Sequence, residues 1–174
     1  MDIQKDWRDT RFRNSSHLQI DDILNGRRMS ALGKLSSKYK RFSIIGFVMI
    51  AMSFITKFTV GDNTLGIWIS ILFACYFATC SAMDYWLYLG ISRIDPATMS
   101  VNEVITKSLF YRKRHFQFMA IIIPWMIAII GLIVYANFSD VYMLIAVATG
   151  GIIGLAIGLK NLFEFLDAYK TLSN

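Results

Sequence analysis

Four apolar blocks constrain this chain more than anything else in it. Residues 42–59, 65–90, 116–136 and 141–159 each come close to the roughly 20 residues a helix needs to cross the hydrocarbon core of a bilayer. The chain is 55% hydrophobic over 174 residues, and soluble domains reach about half. The gathering of apolar residues into blocks therefore decides the class, rather than their total. The expectation is an all-α integral membrane protein with four transmembrane helices arranged as two hairpins. Tight turns at Gly61-Asp62-Asn63-Thr64 and Asn137-Phe138-Ser139-Asp140 close the hairpins, and a polar hub, residues 91–115, joins them. An arm, residues 1–41, and a tail, residues 160–174, flank the membrane domain. Met1 to Arg41 lacks the central apolar run of a cleavable signal, so the first block is expected to act as its own insertion signal.

Charge then orients the bundle. If the arm faces the cytosol, seventeen of the eighteen Lys and Arg residues fall on arm, hub or tail, leaving Lys57 outside. Basic residues collect on cytoplasmic flanks, so both termini and the hub are expected on the cytosolic side of the membrane. The same argument accounts for the net charge of +6 without nucleic acid, for which there is no stacking motif or recognition module. Cys75 and Cys80 lie five apart inside one apolar block and suit packing rather than a disulfide or a metal site.

The arm divides by pattern. Residues 1–15 carry Trp7 among charges with no sustained period, and disorder without a partner is expected there. Ser16 and Gln19 have the spacing of a capping box, and Asn25-Gly26 is a natural helix stop. These signals predict a short helix over 17–25 with Ile20, Ile23 and Leu24 on one face. A second, basic amphipathic helix is expected over 30–41. Leu32, Leu35, Tyr39 and Phe42 form its apolar stripe, flanked by Lys34, Lys38, Lys40 and Arg41. Such a helix can lie on anionic headgroups or offer a docking surface to a cytosolic protein.

In the second span Asp84 is a carboxylate among apolar residues, which by default makes a functional candidate. Its neighbours Tyr85, Trp86 and Tyr88 look like an interfacial aromatic belt, so an interfacial role competes with a proton or ion site. Asp95-Pro96 marks a turn. Ser100 and Glu103 form a second capping box, opening a helix of about 14 residues with Val101, Val104, Ile105, Leu109 and Phe110 on its apolar face. That helix runs up to Arg112-Lys113-Arg114 with the option of continuing into the third span, and His115 is read as interfacial. Pro124 sits inside the third span, where membrane helices tolerate it. Ala146, Gly150, Gly154 and Gly158 recur every fourth residue in the fourth span. That small-xxx-small row suits packing within the monomer or a homodimer. The tail continues with Leu162, Phe163, Leu166 and Tyr169 on one face.

No nucleophile–base set, phosphate-cradling loop or paired carboxylates can be assembled from these residues. The expectation is a non-enzymatic protein without cofactor or metal. An oligomeric channel or transporter component is the alternative, weakened by the lack of a polar stripe along the spans. The Trp7-bearing arm, the basic helix entering the first span, and the hub segments Ile94-Asp95, Met99-Ser100-Val101-Asn102-Glu103-Val104 and Tyr111-Arg112-Lys113-Arg114-His115 resemble a family of small four-span Bacteroidetes proteins. That family is associated with extracytoplasmic-function sigma factors and with membrane anti-sigma activity. The resemblance implies a membrane regulator in a bacterial inner membrane that holds a cytosolic protein, a sigma factor among the candidates. The arm would supply the contact through Trp7, Ile20, Ile23, Leu24, Leu32, Leu35 and Tyr39, together with the hub helix.

Overall fold

The computed structural model describes the backbone of residues 3–55 and 64–173, with side chains over 26–55 and 64–172. Four helices follow in order: α1 (Ile3–Ser53), α2 (Thr64–Ser92), α3 (Val101–Ala136) and α4 (Val141–Ser173). No strand forms among the described residues. Three helices are long and apolar enough to cross a membrane, over Thr64–Ser92, Val101–Ala136 and Val141–Leu172. At 1.5 Å per residue, α3 is about 54 Å long and α4 about 50 Å. Each exceeds a hydrocarbon core of roughly 30 Å, so both project well beyond it at an end.

The first expected span, 42–59, is described only in part. Helix α1 ends at Ser53 with a turn through Phe54 and Ile55, and residues 56–59 lie outside the described residues.

The arm departs from its expected division. Asn25-Gly26 does not stop a helix, and residues 3–15 share the helical backbone, so α1 runs unbroken for 51 residues. Ending a helix at Gly26 would call for a left-handed φ there, and Gly26 does not adopt one. A glycine in mid-helix costs about 1 kcal/mol, which a long run without proline on either side overcomes.

The turns use the signals that predicted them. Asp95 Oδ1 accepts from the Ala97 N–H at 3.0 Å, and its Oδ2 accepts from Thr98 Oγ1 at 3.1 Å. Ser100 then caps α3, its Oγ accepting from the Glu103 N–H at 3.3 Å. Glu103 reaches Lys107 at 2.9 Å along the next turn. Asp140 opens α4 the same way, accepting from the Met143 N–H at 3.1 Å. The hub helix and third span are thus one element, as are the fourth span and the tail.

Two cores hold the helices. The larger joins Leu35 and Tyr39 of α1, Leu87 and Ile91 of α2, Val104 of α3, and Phe165, Tyr169 and Leu172 of α4. The smaller, near the 137–140 turn, centres on Ile69, Ile129 and Ile133, with Met143 and Val147 against them. Between these cores, α4 is exposed at every position from 148 to 160.

Candidate functional site

All four helices meet at the larger core. On α1 the inward row is Arg28, Leu32, Leu35, Tyr39 and Ser43, with steps of three or four that keep it on one face. Helix α4 answers with Phe165, Tyr169 and Leu172, helix α2 with Leu87 and Ile91, and helix α3 with Val104, Ser108 and His115. The hub and tail rows differ from the expected ones. Val101, Leu109, Phe110 and Phe163 are exposed, whereas Ser108, His115 and Phe165 are buried. Where apolar residues occupy nearly every position, as in Leu162-Phe163-Glu164-Phe165-Leu166, periodicity does not select a face.

At the centre a hydrogen-bonded chain crosses three helices. Tyr39 Oη lies 3.0 Å from His115 Nδ1 and 3.1 Å from Tyr169 Oη. Tyr39 has one proton, so it donates to one neighbour and accepts from the other. The Phe165 ring covers the pair, 4.9 Å from both the Tyr39 and the His115 rings. Burial, reinforced by Tyr169 and with a smaller push from Asp84, holds the Tyr39 phenol far above its ordinary range. It is therefore a neutral hydrogen-bonding group at any physiological pH. His115 is a buried member of this chain. Its Nε2, Ser108 Oγ and Arg28 Nε are buried without a hydrogen-bond partner among the described residues. Each such group carries a desolvation cost of about 1–3 kcal/mol.

Below this junction α1 and α2 form a close crossing. Ser43 Oγ donates to the Ser81 carbonyl at 3.1 Å, and Ser81 Oγ returns a bond to the Ser43 carbonyl at 2.7 Å. One turn on, a Cβ at Gly46 would sit 2.9 Å from Ser81 Cβ and 3.3 Å from its Cα. Glycine is what admits this approach, the small-residue logic of membrane helix pairing. Gly90 does the same for the Tyr111 ring, which would lie 2.3 Å from an added Cβ.

The other expected site residues are dispersed. Leu32, Leu35 and Tyr39 are in the core, so they do not form an exposed docking stripe. Their apolar face is satisfied by the chain's own helices. The side chains of Trp7, Ile20, Ile23 and Leu24 lie outside the described residues. Lys34, Lys40 and Arg41 are exposed, and Lys38 is half-buried and paired with Glu164. Lys113 and Arg114 are exposed and Arg112 is half-buried. Asp84 is half-buried and close enough to Tyr39 to act on it electrostatically. Ala146, Gly150, Gly154 and Gly158 are exposed, and a Cβ on any of these glycines would meet nothing within 4 Å. The row therefore packs against none of the described residues, as the first of its two expected uses would require. Among the described residues no three His, Cys, Asp or Glu side chains gather as metal ligands.

The Tyr39–His115–Tyr169 chain had no sequence motif to announce it. Tyr39 is 76 residues from His115 and 130 from Tyr169, and only the packing of α3 and α4 against α1 joins them. No family model, curated protein or solved structure matches the chain.

Proposed function

We propose that this protein is a non-enzymatic membrane regulator or scaffold, with α1 as its moving or reporting element. In this reading four spans thread the inner membrane as two hairpins, with arm, hub and tail in the cytosol, as the distribution of basic residues favours. The observation that carries the proposal is the continuity of α1. One 51-residue helix enters a junction built from the other three helices and continues N-terminally beyond Arg28, its first buried residue among those whose side chains are described. A shift among the bundle helices would be transmitted to residues 3–27 through Tyr39, because Tyr39 is bonded to both α3 and α4.

The partner is proposed to be a cytosolic protein held by the N-terminal part of α1, through Trp7, Ile20, Ile23 and Leu24. Membrane anti-sigma activity is the specific form that the family resemblance suggests. Leu32, Leu35 and Tyr39 leave the proposed contact surface, since their role is internal. The channel reading has weaker support, because the span hydroxyls Ser43, Ser70, Thr79 and Ser81 are used on helix carbonyls.

The test uses the full chain in membranes, because residues 28–41 complete the bundle and the arm is not separable from it. Cross-linking in cells is expected to capture one cytosolic protein, and capture should drop at least tenfold in Trp7→Ala/Leu24→Ala. Equal recovery from the variant, or recovery of no specific protein, would sink the regulator reading.

A further inference from the structure

A groove of about 680 Å³ runs between α1 and the C-terminal part of α4, within the roughly 300–1,000 Å³ typical of small-molecule sites. Its α1 wall carries Arg27, Lys34, Lys38 and Arg41. Steps of seven, four and three place these cations in one helical row. Glu164 and Asp167 stand on the α4 wall. Lys38 is paired with Glu164, whereas Arg27, Lys34 and Arg41 have no ion pair among the described residues. Four cations against two carboxylates leave the groove positive, with three of the cations available to an incoming anion.

Its lower end fixes what kind of anion fits. Arg41 is the last charged residue of α1 before the apolar run that starts at Phe42, and Glu164 lies one turn beyond Lys160, where the apolar block of α4 ends. Just past these residues Ile44, Ile45 and Val48 of α1 and Leu159 and Phe163 of α4 are exposed. A basic cleft therefore opens directly onto two bare apolar helix faces. A phosphate ester in solution could use only the first of these surfaces. An anionic phospholipid uses both, with its headgroup among the cations and its acyl chains along the helices.

We propose that this groove seats the phosphate-bearing headgroup of an anionic phospholipid from the adjoining leaflet. Lys34 and Arg41 hold the phosphate, and Lys38 is shared between the lipid and Glu164. The proposal rests on the reading that α4 and the part of α1 from Phe42 onward lie in the membrane, and is independent of any cytosolic partner.

Native mass spectrometry of the detergent-solubilised full chain, titrated with phosphatidylglycerol or phosphatidylcholine, tests it. Phosphatidylglycerol is expected to be retained and phosphatidylcholine lost. A surface cation contributes about fivefold to such attraction, so Lys34→Gln/Arg41→Gln should weaken retention about twenty-fivefold. The hub control Lys113→Gln/Arg114→Gln should change it less than twofold. Glu164→Gln should raise retention several-fold, a gain that misfolding does not imitate. Equal retention of phosphatidylcholine, equal loss in the hub control, or weakened retention in Glu164→Gln would each overturn the proposal. Displacement by an equimolar amount of glycerol phosphate would overturn the lipid as occupant in favour of a soluble phosphate ester.

Discussion

The two ends of α4 are built under opposite conditions. From Phe165 to Leu172 it supplies three of the buried residues of the four-helix junction. From 148 to 160 it is exposed at every position, and no residue of its most apolar stretch is buried. Hydropathy alone would rank the second region as the better core. The difference is one of solvent. Next to water, apolar side chains are driven together at about 25 cal/mol per Å² buried. In lipid that drive between helices vanishes, and only close packing and polar contacts remain. Along α4, dense packing is therefore found where charged residues flank the helix, and a bare surface where it is most apolar.

Substitutions can break or sharpen that contrast. The largest loss is expected from Phe165→Ala, which removes the ring covering Tyr39 and His115. Truncating a buried Phe costs about 3–5 kcal/mol, to be read from unfolding in mixed micelles. A cost below about 1 kcal/mol would show that the junction is loosely held. Gly46→Leu should follow at about 1–3 kcal/mol, because the Ser81 backbone leaves no room for the added atoms. Cysteines introduced at Ser43 and Ser81 would report the widened crossing as slower disulfide formation. Tyr39→Phe keeps the ring and deletes the shared hydroxyl, leaving His115 and Tyr169 unpaired. About 1–3 kcal/mol is expected, and an unchanged stability would mean that water replaces the hydroxyl. The smallest effect is assigned to Gly154→Leu, within about 0.5 kcal/mol. It is the same kind of change as Gly46→Leu, made where an added Cβ meets nothing within 4 Å. A large loss there would mean that another surface covers the glycine row in the membrane.

Much of the fold could be read along the chain, because its signals are local. The Ser100 cap, the turns at Asp95 and at 137–140, and three helices long and apolar enough to cross a membrane are each specified by runs of neighbouring residues. The arm shows where local reading failed. Asn25-Gly26 has the composition of a stop, but the helices on either side outweigh a cost of about 1 kcal/mol. The apolar stripe Leu32, Leu35 and Tyr39 was visible as a stripe, whereas what it faces depends on how α2 and α4 pack. The basic row Arg27, Lys34, Lys38 and Arg41 has regular spacing too, yet it lines a groove only because Glu164 and Asp167 stand opposite.

The sequence by itself determined that the described chain is helical, that three of its helices are long and apolar enough to cross a membrane, and where its turns fall. Those features follow from hydropathy over a bilayer's thickness and from hydrogen bonds reaching only two or three residues. The tertiary structure alone decided which faces are buried. A helix apolar on every side has no preferred inward face until a neighbour supplies one. It also decided that Ser108 and His115 point inward and Phe163 outward, and that Tyr39, His115 and Tyr169 share one chain of hydrogen bonds. The partners in that chain are brought together by the crossing of helices, which no local pattern records.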